Sequence, residues 1–292
     1  MMKSIPAICL LPLIFASCGD ADKTSGKEEQ TLLAKGQEEF NKAKIEAEKV
    51  KQGAEEAMAP MIEWTRKAAE KGHKDAQIAL SGLYYFGRNE LPRQAEKAKE
   101  WFEKAAAQGW IEARYYLGRM YAEGDGVKRD MDEALRQWSI AAQGGIAEAQ
   151  YQLGLFYIQG KETFEQGIYW LKQAANGTVA DASLALGKIY ANGLGPIQPQ
   201  KQEATKWYRQ AAEYGNKQGQ FIYGLMCMEG AGTAKDEKQG FSYIQLAAGQ
   251  DYLPAVHQLI RCYKEGIGTP VDEDKARAWE QRAQELEAKQ PE

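Results

Sequence analysis

The chain has 292 residues, of which 44% are hydrophobic, 10% aromatic and 27% charged, the profile of a folded globular protein rather than a disordered or fibrous one. Lys and Arg number 37 against 41 Asp and Glu, a net charge of −4 with no run of five basic residues, which argues against a phosphate-tracking surface and a nucleic-acid partner. Two histidines, His73 and His257, and four cysteines, Cys9, Cys18, Cys227 and Cys262, leave few ligands for a metal centre and few bases for a His-dependent triad, so neither metal nor cofactor is expected.

Met1-Met2-Lys3 forms a short positive start, Ile5 to Phe15 an apolar core and Ala16-Ser17 a pair of small residues, the order of a secretory signal peptide over residues 1–17. The apolar stretch is about half of the roughly 20 residues a membrane-spanning helix needs. Phe15-Ala16-Ser17-Cys18 resembles the lipobox of bacterial lipoproteins, with Phe15 where that family usually carries Leu. The resemblance implies cleavage before Cys18, lipidation of its sulfur and new N-terminus, and a membrane anchor. The alternative is a plain signal with a free Cys18. Residues 18–27 have the polar composition of a flexible tether. Gly19 after the cysteine points, by resemblance to enterobacterial sorting, to the outer membrane and the periplasmic side of the bacterial envelope.

Residues Glu28 to Ala57 are charged and Ala-rich, with Leu32, Leu33, Phe40, Ile45 and Val50 as large apolar positions. They read as one N-terminal helix, domain 28–58, ending near Pro60 and either capping the body or standing clear of it as a spacer.

From there a repeat dominates. Trp64, Trp101, Gln137, Trp170, Trp207, Tyr243 and Trp279 occupy equivalent places, spanning 215 residues in six steps of about 36. Twelve residues after each of the first six stands a small residue, Ala76, Ala113, Ala149, Ala182, Gly219 or Ala255. It opens a helix A with apolar or small residues at +4, +5 and +8, closed by Gly87, Gly124, Gly160, Gly193, Gly230 or Gly266. A helix B follows, with Asp130-x-x-Glu133 and Asp236-x-x-Gln239 in the form of capping boxes. It carries the Trp and then an Ala-Ala pair. Pro92, Pro196, Pro199 and Pro270 fall in the A-to-B loops, and Pro254 in the first turn of a helix A.

Leu-Gly-x-x-Tyr, as in Leu117-Gly118-x-x-Tyr121, the Gly-x-Gly-Val loop, the Trp and Ala-Ala-x-x-Gly together resemble the Sel1-like repeat, a relative of the tetratricopeptide repeat. The resemblance implies an all-α fold, a right-handed α-solenoid of about six stacked antiparallel helix pairs over residues 59–285, followed by a C-terminal tail, 286–292. Ser81 and Ile260 replace the packing glycine, Gln137 replaces the Trp, and the third unit is three residues short between Gly160 and Trp170.

Such an array presents an extended concave face, on which helix A positions +3, +6 and +10 lie opposite the core stripe. These are Tyr116, Arg119 and Glu123 in the second repeat, Gln152 in the third, Lys188 and Asn192 in the fourth, and Gln258, Arg261 and Glu265 in the sixth. Long amphipathic side chains there suit a protein or peptide ligand, with an ordinary solvated face as the alternative. Positions +2 and +7 are mostly apolar and read as inter-repeat core, which places His257 and Phe156 in packed surroundings. His73, in the turn after a helix B, reads as a structural cap. Cys227 and Cys262, on successive A helices, form a possible disulfide if the helices approach closely enough.

No catalytic constellation stands out. The expectation is a non-enzymatic, lipid-anchored scaffold or adaptor for protein partners. The alternatives are a β-lactam-binding enzyme, as among cysteine-rich secreted Sel1-like proteins, which carry a cysteine pair in each repeat where this chain has none, and a structural surface spacer.

Overall fold

The computed structural model describes residues 36–87 and 91–289. Cys18, the signal segment, the tether and the first part of the charged segment lie outside the described residues. Fourteen α-helices and one short 3-10 helix, Glu55–Ala57, are formed among them. The described chain contains no helix long and apolar enough to cross a membrane.

Two compact units divide the chain, Met1–Ile146 and Ala147–Glu292. The first holds α1 (Gln37–Lys51), α2 (Met58–Glu70), α3 (Lys74–Phe86), α4 (Ala95–Ala107), α5 (Ile111–Glu123) and α6 (Met131–Gln143). The second holds α7 (Ala147–Tyr157), α8 (Phe164–Asn176), α9 (Ala180–Asn192), α10 (Lys201–Glu213), α11 (Lys217–Glu229), α12 (Glu237–Ala248), α13 (Leu253–Glu265) and α14 (Glu273–Glu287). Within each unit consecutive helices pack on one another, the stacked-pair arrangement of an α-solenoid.

Glycines set the pairing. Each packing glycine of a helix A faces the large side chain one position after the Trp place of its helix B: Gly118 faces Trp138, Gly154 faces Leu171, Gly187 faces Tyr208 and Gly224 faces Ile244. These partners are nearly fully buried, whereas Trp64, Trp101, Trp170, Trp207 and Trp279 in the Trp place itself are only half-buried. The second glycine of the Gly-x-Gly loop has another task. With φ of 69°, 75° and 69°, Gly126, Gly232 and Gly268 lie against the start of the preceding helix B, at Ala95, Lys201 and Glu237, where any side chain would overlap backbone.

Gly87, Gly124, Gly193, Gly230 and Gly266 stop their helices as expected, all with positive φ. Gly160 does not: α7 ends three residues earlier, at Tyr157, and the shortened loop closes through Thr163 Oγ1 donating to the Tyr157 carbonyl at 2.8 Å. The capping boxes are half made. Asp130 Oδ1 and Asp236 Oδ1 accept the Glu133 and Gln239 backbone N–H groups at 2.9 Å each. The return bonds are missing, because Glu133 is drawn to Arg136 and Gln137, and Gln239 Oε1 turns inward to the Cys227 thiol, 3.2 Å away. Asp272 caps α14 in the same way through Lys275 N–H.

The charged segment departs from the single helix expected of it. Gln52-Gly53 breaks it, and Pro60 lies in the first turn of α2 rather than at a helix end. Pro is tolerated there because that N–H has no intrahelical acceptor. Shortened to Gln37–Lys51, α1 buries Phe40, Ala43 and Ala47 and packs along α2 as a further helix pair, so it caps the first repeat instead of standing clear.

Candidate partner-binding faces

In the first unit the outward side of α3 and α5 is built on aromatic rings. Tyr116 stacks on Phe102 with ring centres 5.0 Å apart and 12° between planes, and meets Tyr85 and Phe86 edge-on. The Tyr116 ring, expected on the outward face, is thus half-buried against the core. Arg119 lies over the Tyr85 ring at 5.8 Å and pairs with Glu123 at 3.2 Å. Arg93 approaches the same ring at 5.7 Å, donates to the Tyr85 carbonyl at 3.0 Å and pairs with Asp125 of the next loop. Burial pushes the Tyr85 hydroxyl up to about 12, against the pull of Arg119, so the ring stays neutral. Tyr85, at +9, and Arg93, in the loop that follows, escape the +3, +6, +10 pattern, whereas Phe86 falls on it at +10. The signal for them is an aromatic at +10 in the first repeat, where the second, fifth and sixth repeats carry Glu.

In the second unit three A helices are joined edge to edge by polar reach. Lys188 of α9 donates to Gln218 Oε1 of α11 at 3.0 Å, and Gln258 of α13 lies 3.9 Å from the Met228 sulfur of α11. Arg261 pairs with Glu265 at 3.0 Å with more than half of each side chain exposed. Asn192 is exposed and Gln152, on α7, half-buried. The +6 and +10 positions are thus tied by i,i+4 ion pairs wherever they carry Arg and Glu, which fixes long side chains without removing them from solvent.

Two expected core positions are open. His257 is about half exposed and faces Glu287 of α14 at 3.3 Å. Phe156 remains 38% exposed at the end of the shortened α7. The cysteine bridge is not formed: Cys227 and Cys262 are buried free thiols, each on the core side of its own helix. Burial raises both, Cys262 to about 11.

Other concavities lie at the loops. A groove of about 800 Å³ runs between the loops after α11 and α13, lined by Lys235, Asp236, Lys238, Gly268, Thr269 and Pro270. One of about 560 Å³ in the first unit is lined by Lys99, Tyr121 and the loop from Gly126 to Asp130. Among the described residues no three His, Cys, Asp or Glu side chains gather as metal ligands.

Against this geometry, comparison with known proteins gives one consistent result. Residues 62–73, 74–110, 111–146, 147–178, 180–216, 217–252 and 261–285 each match the model of the Sel1 repeat. The chain is 30% identical over 199 residues to the uncharacterized protein NMB1327 of Neisseria meningitidis serogroup B, covering 68% of this chain and 41% of that protein. It is 28% identical over 212 residues to the chitin synthase regulator SKT5 of Saccharomyces cerevisiae, covering 68% of this chain and 30% of the regulator. It therefore spans less than half the length of either curated relative. Among solved structures, that of c5321, a protective antigen present in uropathogenic Escherichia coli strains displaying an SLR fold, superposes with a TM-score of 0.71 at 26% identity, covering 95% of this chain and 56% of that one.

Proposed function

Because the chain belongs to the Sel1 repeat family, we propose that it is a non-catalytic scaffold or adaptor for a protein or peptide partner, held in the bacterial envelope by lipid on Cys18. The observation that carries the reading is the joining of α9, α11 and α13 by Lys188 and Gln258 into one polar face with apolar side chains beneath it. A face of that kind suits an extended peptide or a partner helix, whose side chains would exchange with the Lys188 and Arg261 contacts. The relative from Saccharomyces cerevisiae is named as a regulator of another protein, which supports a role exercised through binding. For the anchor, the support is the order of Lys3, the apolar segment, Ala16-Ser17 and Cys18.

The test is affinity capture from solubilised envelopes with the mature chain, beside the Arg119→Glu, Lys188→Glu, Arg261→Glu triple variant checked for unchanged helicity. Enrichment of one protein that the variant loses supports the scaffold reading. Equal recovery with both moves binding off the A helices, and no enrichment leaves a surface spacer. Mass spectrometry of the mature N-terminus tests the anchor: acyl chains on Cys18 are expected, and an unmodified Cys18 would refute them.

A further inference from the structure

The start of α1 meets the turn between α2 and α3 at one ring. His73 is 5% exposed, in the turn between α2 and α3, and caps α3 by accepting the Ala76 N–H at Nδ1, 3.4 Å away. A backbone N–H can only donate, so Nδ1 carries the lone pair and the ring proton sits on Nε2. Nε2 lies 3.1 Å from Gln37 Oε1 at the start of α1, and Gln37 Nε2 donates to Asn41 at 3.0 Å, which fixes the amide with its oxygen toward the histidine. Phe40 of α1 covers the ring, centres 4.4 Å apart. Helix α1 thus supplies both the hydrogen-bond acceptor and the apolar lid of a neutral imidazole.

A proton on Nδ1 would oppose two donors, Nδ1–H and Ala76 N–H, and set a positive charge at the positive end of the α3 dipole. The surroundings do little to hold that charge. Lys44 of α1 and Lys74 of α3 repel it, Asp75 alone attracts it, and Lys71 beyond α2 is taken up by Glu39. From the following turn the neutral Gln108 reaches the Gly72 carbonyl. Release of α1 exposes the ring to water, where the imidazolium is solvated, and uncovers Phe40, Ala43 and Ala47 of α1 together with the α2 side chains they pack against.

We propose that His73 is an acid-sensitive latch, and that protonation of its ring releases α1 from α2 and the turn that follows. Desolvation holds the docked ring below the ordinary histidine value of 6.5. The docked state therefore carries its full stability above that value and loses it as pH falls through 6.5 toward the lowered pKa of the docked ring. The Glu39–Lys71 pair does not confuse the window, since its hydrogen bond from Lys71 holds Glu39 below 4.5.

The protein provides its own control. Asn216 occupies the equivalent turn before α11 and caps Gly219 N–H at 2.7 Å, so His73→Asn keeps a cap and removes the titration. Hydrogen exchange of the full chain from pH 7.5 to 5, corrected for intrinsic rates, should show α1 amides opening more by up to about tenfold per pH unit below 6.5, with α9 amides unchanged. His73→Asn should flatten that slope. A flat α1 profile in the unsubstituted chain, or an unchanged slope in the variant, would overturn the latch. Should the variant fail to fold, nuclear magnetic resonance of the His73 ring decides: protonation in step with α1 opening supports the latch, and protonation with α1 still docked refutes it.

Discussion

Gly118 of α5 lies flat against the indole of Trp138 on α6, so closely that a methyl group on Gly118 would overlap ring atoms Cδ1 and Nε1. The same apposition recurs at Gly154 with Leu171 and Gly187 with Tyr208, and it is what lets a large B side chain sink to the helix A backbone. In the first repeat Ser81 takes the place and satisfies its hydroxyl on the Ile78 carbonyl at 2.7 Å.

Gly118→Ala should therefore destabilise the first unit although alanine favours helix. Overpacking a well-filled core costs about 1–3 kcal/mol. Urea unfolding followed by circular dichroism should show a lower midpoint, and a second change, Trp138→Leu, should recover part of the loss.

Thr178 holds φ of 67° after α8, where Gly72, Gly109, Gly145 and Gly215 hold 90°, 91°, 90° and 81° in their own repeats. A β-branched residue is strained in that region, and the Thr178 side chain is exposed. Thr178→Gly should raise stability by about 0.5–1 kcal/mol, the strain relieved less the extra chain entropy of glycine, read as a higher melting temperature.

Gln108 Nε2 donates to Gln77 Oε1 at 2.6 Å and to the Gly72 carbonyl at 3.2 Å, residues 31 and 36 positions before it in the chain. Gln250 does the same for Gln220 and Gly215 in the second unit. Gln77 is buried, so Gln108→Ala leaves its oxygen without that donor and should cost about 1–2 kcal/mol. A double-mutant cycle with Gln77→Ala should give a non-zero coupling; additivity would show that the bond contributes nothing.

Cys227 and Cys262, buried and with raised thiol pKa values, should resist alkylation at pH 8 in the folded protein. Peptide mapping should find both unmodified natively and both labelled in urea, without a linked peptide. Native labelling or a linked pair would contradict the packing described.

The order of elements was fixed by local chemistry that any reader of the chain can follow. The period near 36, the glycines that stop each helix A, and the caps at Asp130, Asp236 and His73 depend on residues a few positions apart, and backbone sterics allow them little choice. What the sequence could not decide was how much of each helix surface a neighbour covers. His257 and Phe156 fit the apolar pattern yet stay open, Tyr116 fits the outward pattern yet stacks on Phe102, and Gln239 leaves its capping box for Cys227. The charged segment, lacking a strong stripe, left capping and standing clear both open, and only the packing shows that Phe40, Ala43 and Ala47 suffice to seat α1 on α2. The physical reason is common to these cases. Helix periodicity sets a side chain's direction, but burial is set by the packed helices around it, and those are supplied by segments distant in the chain.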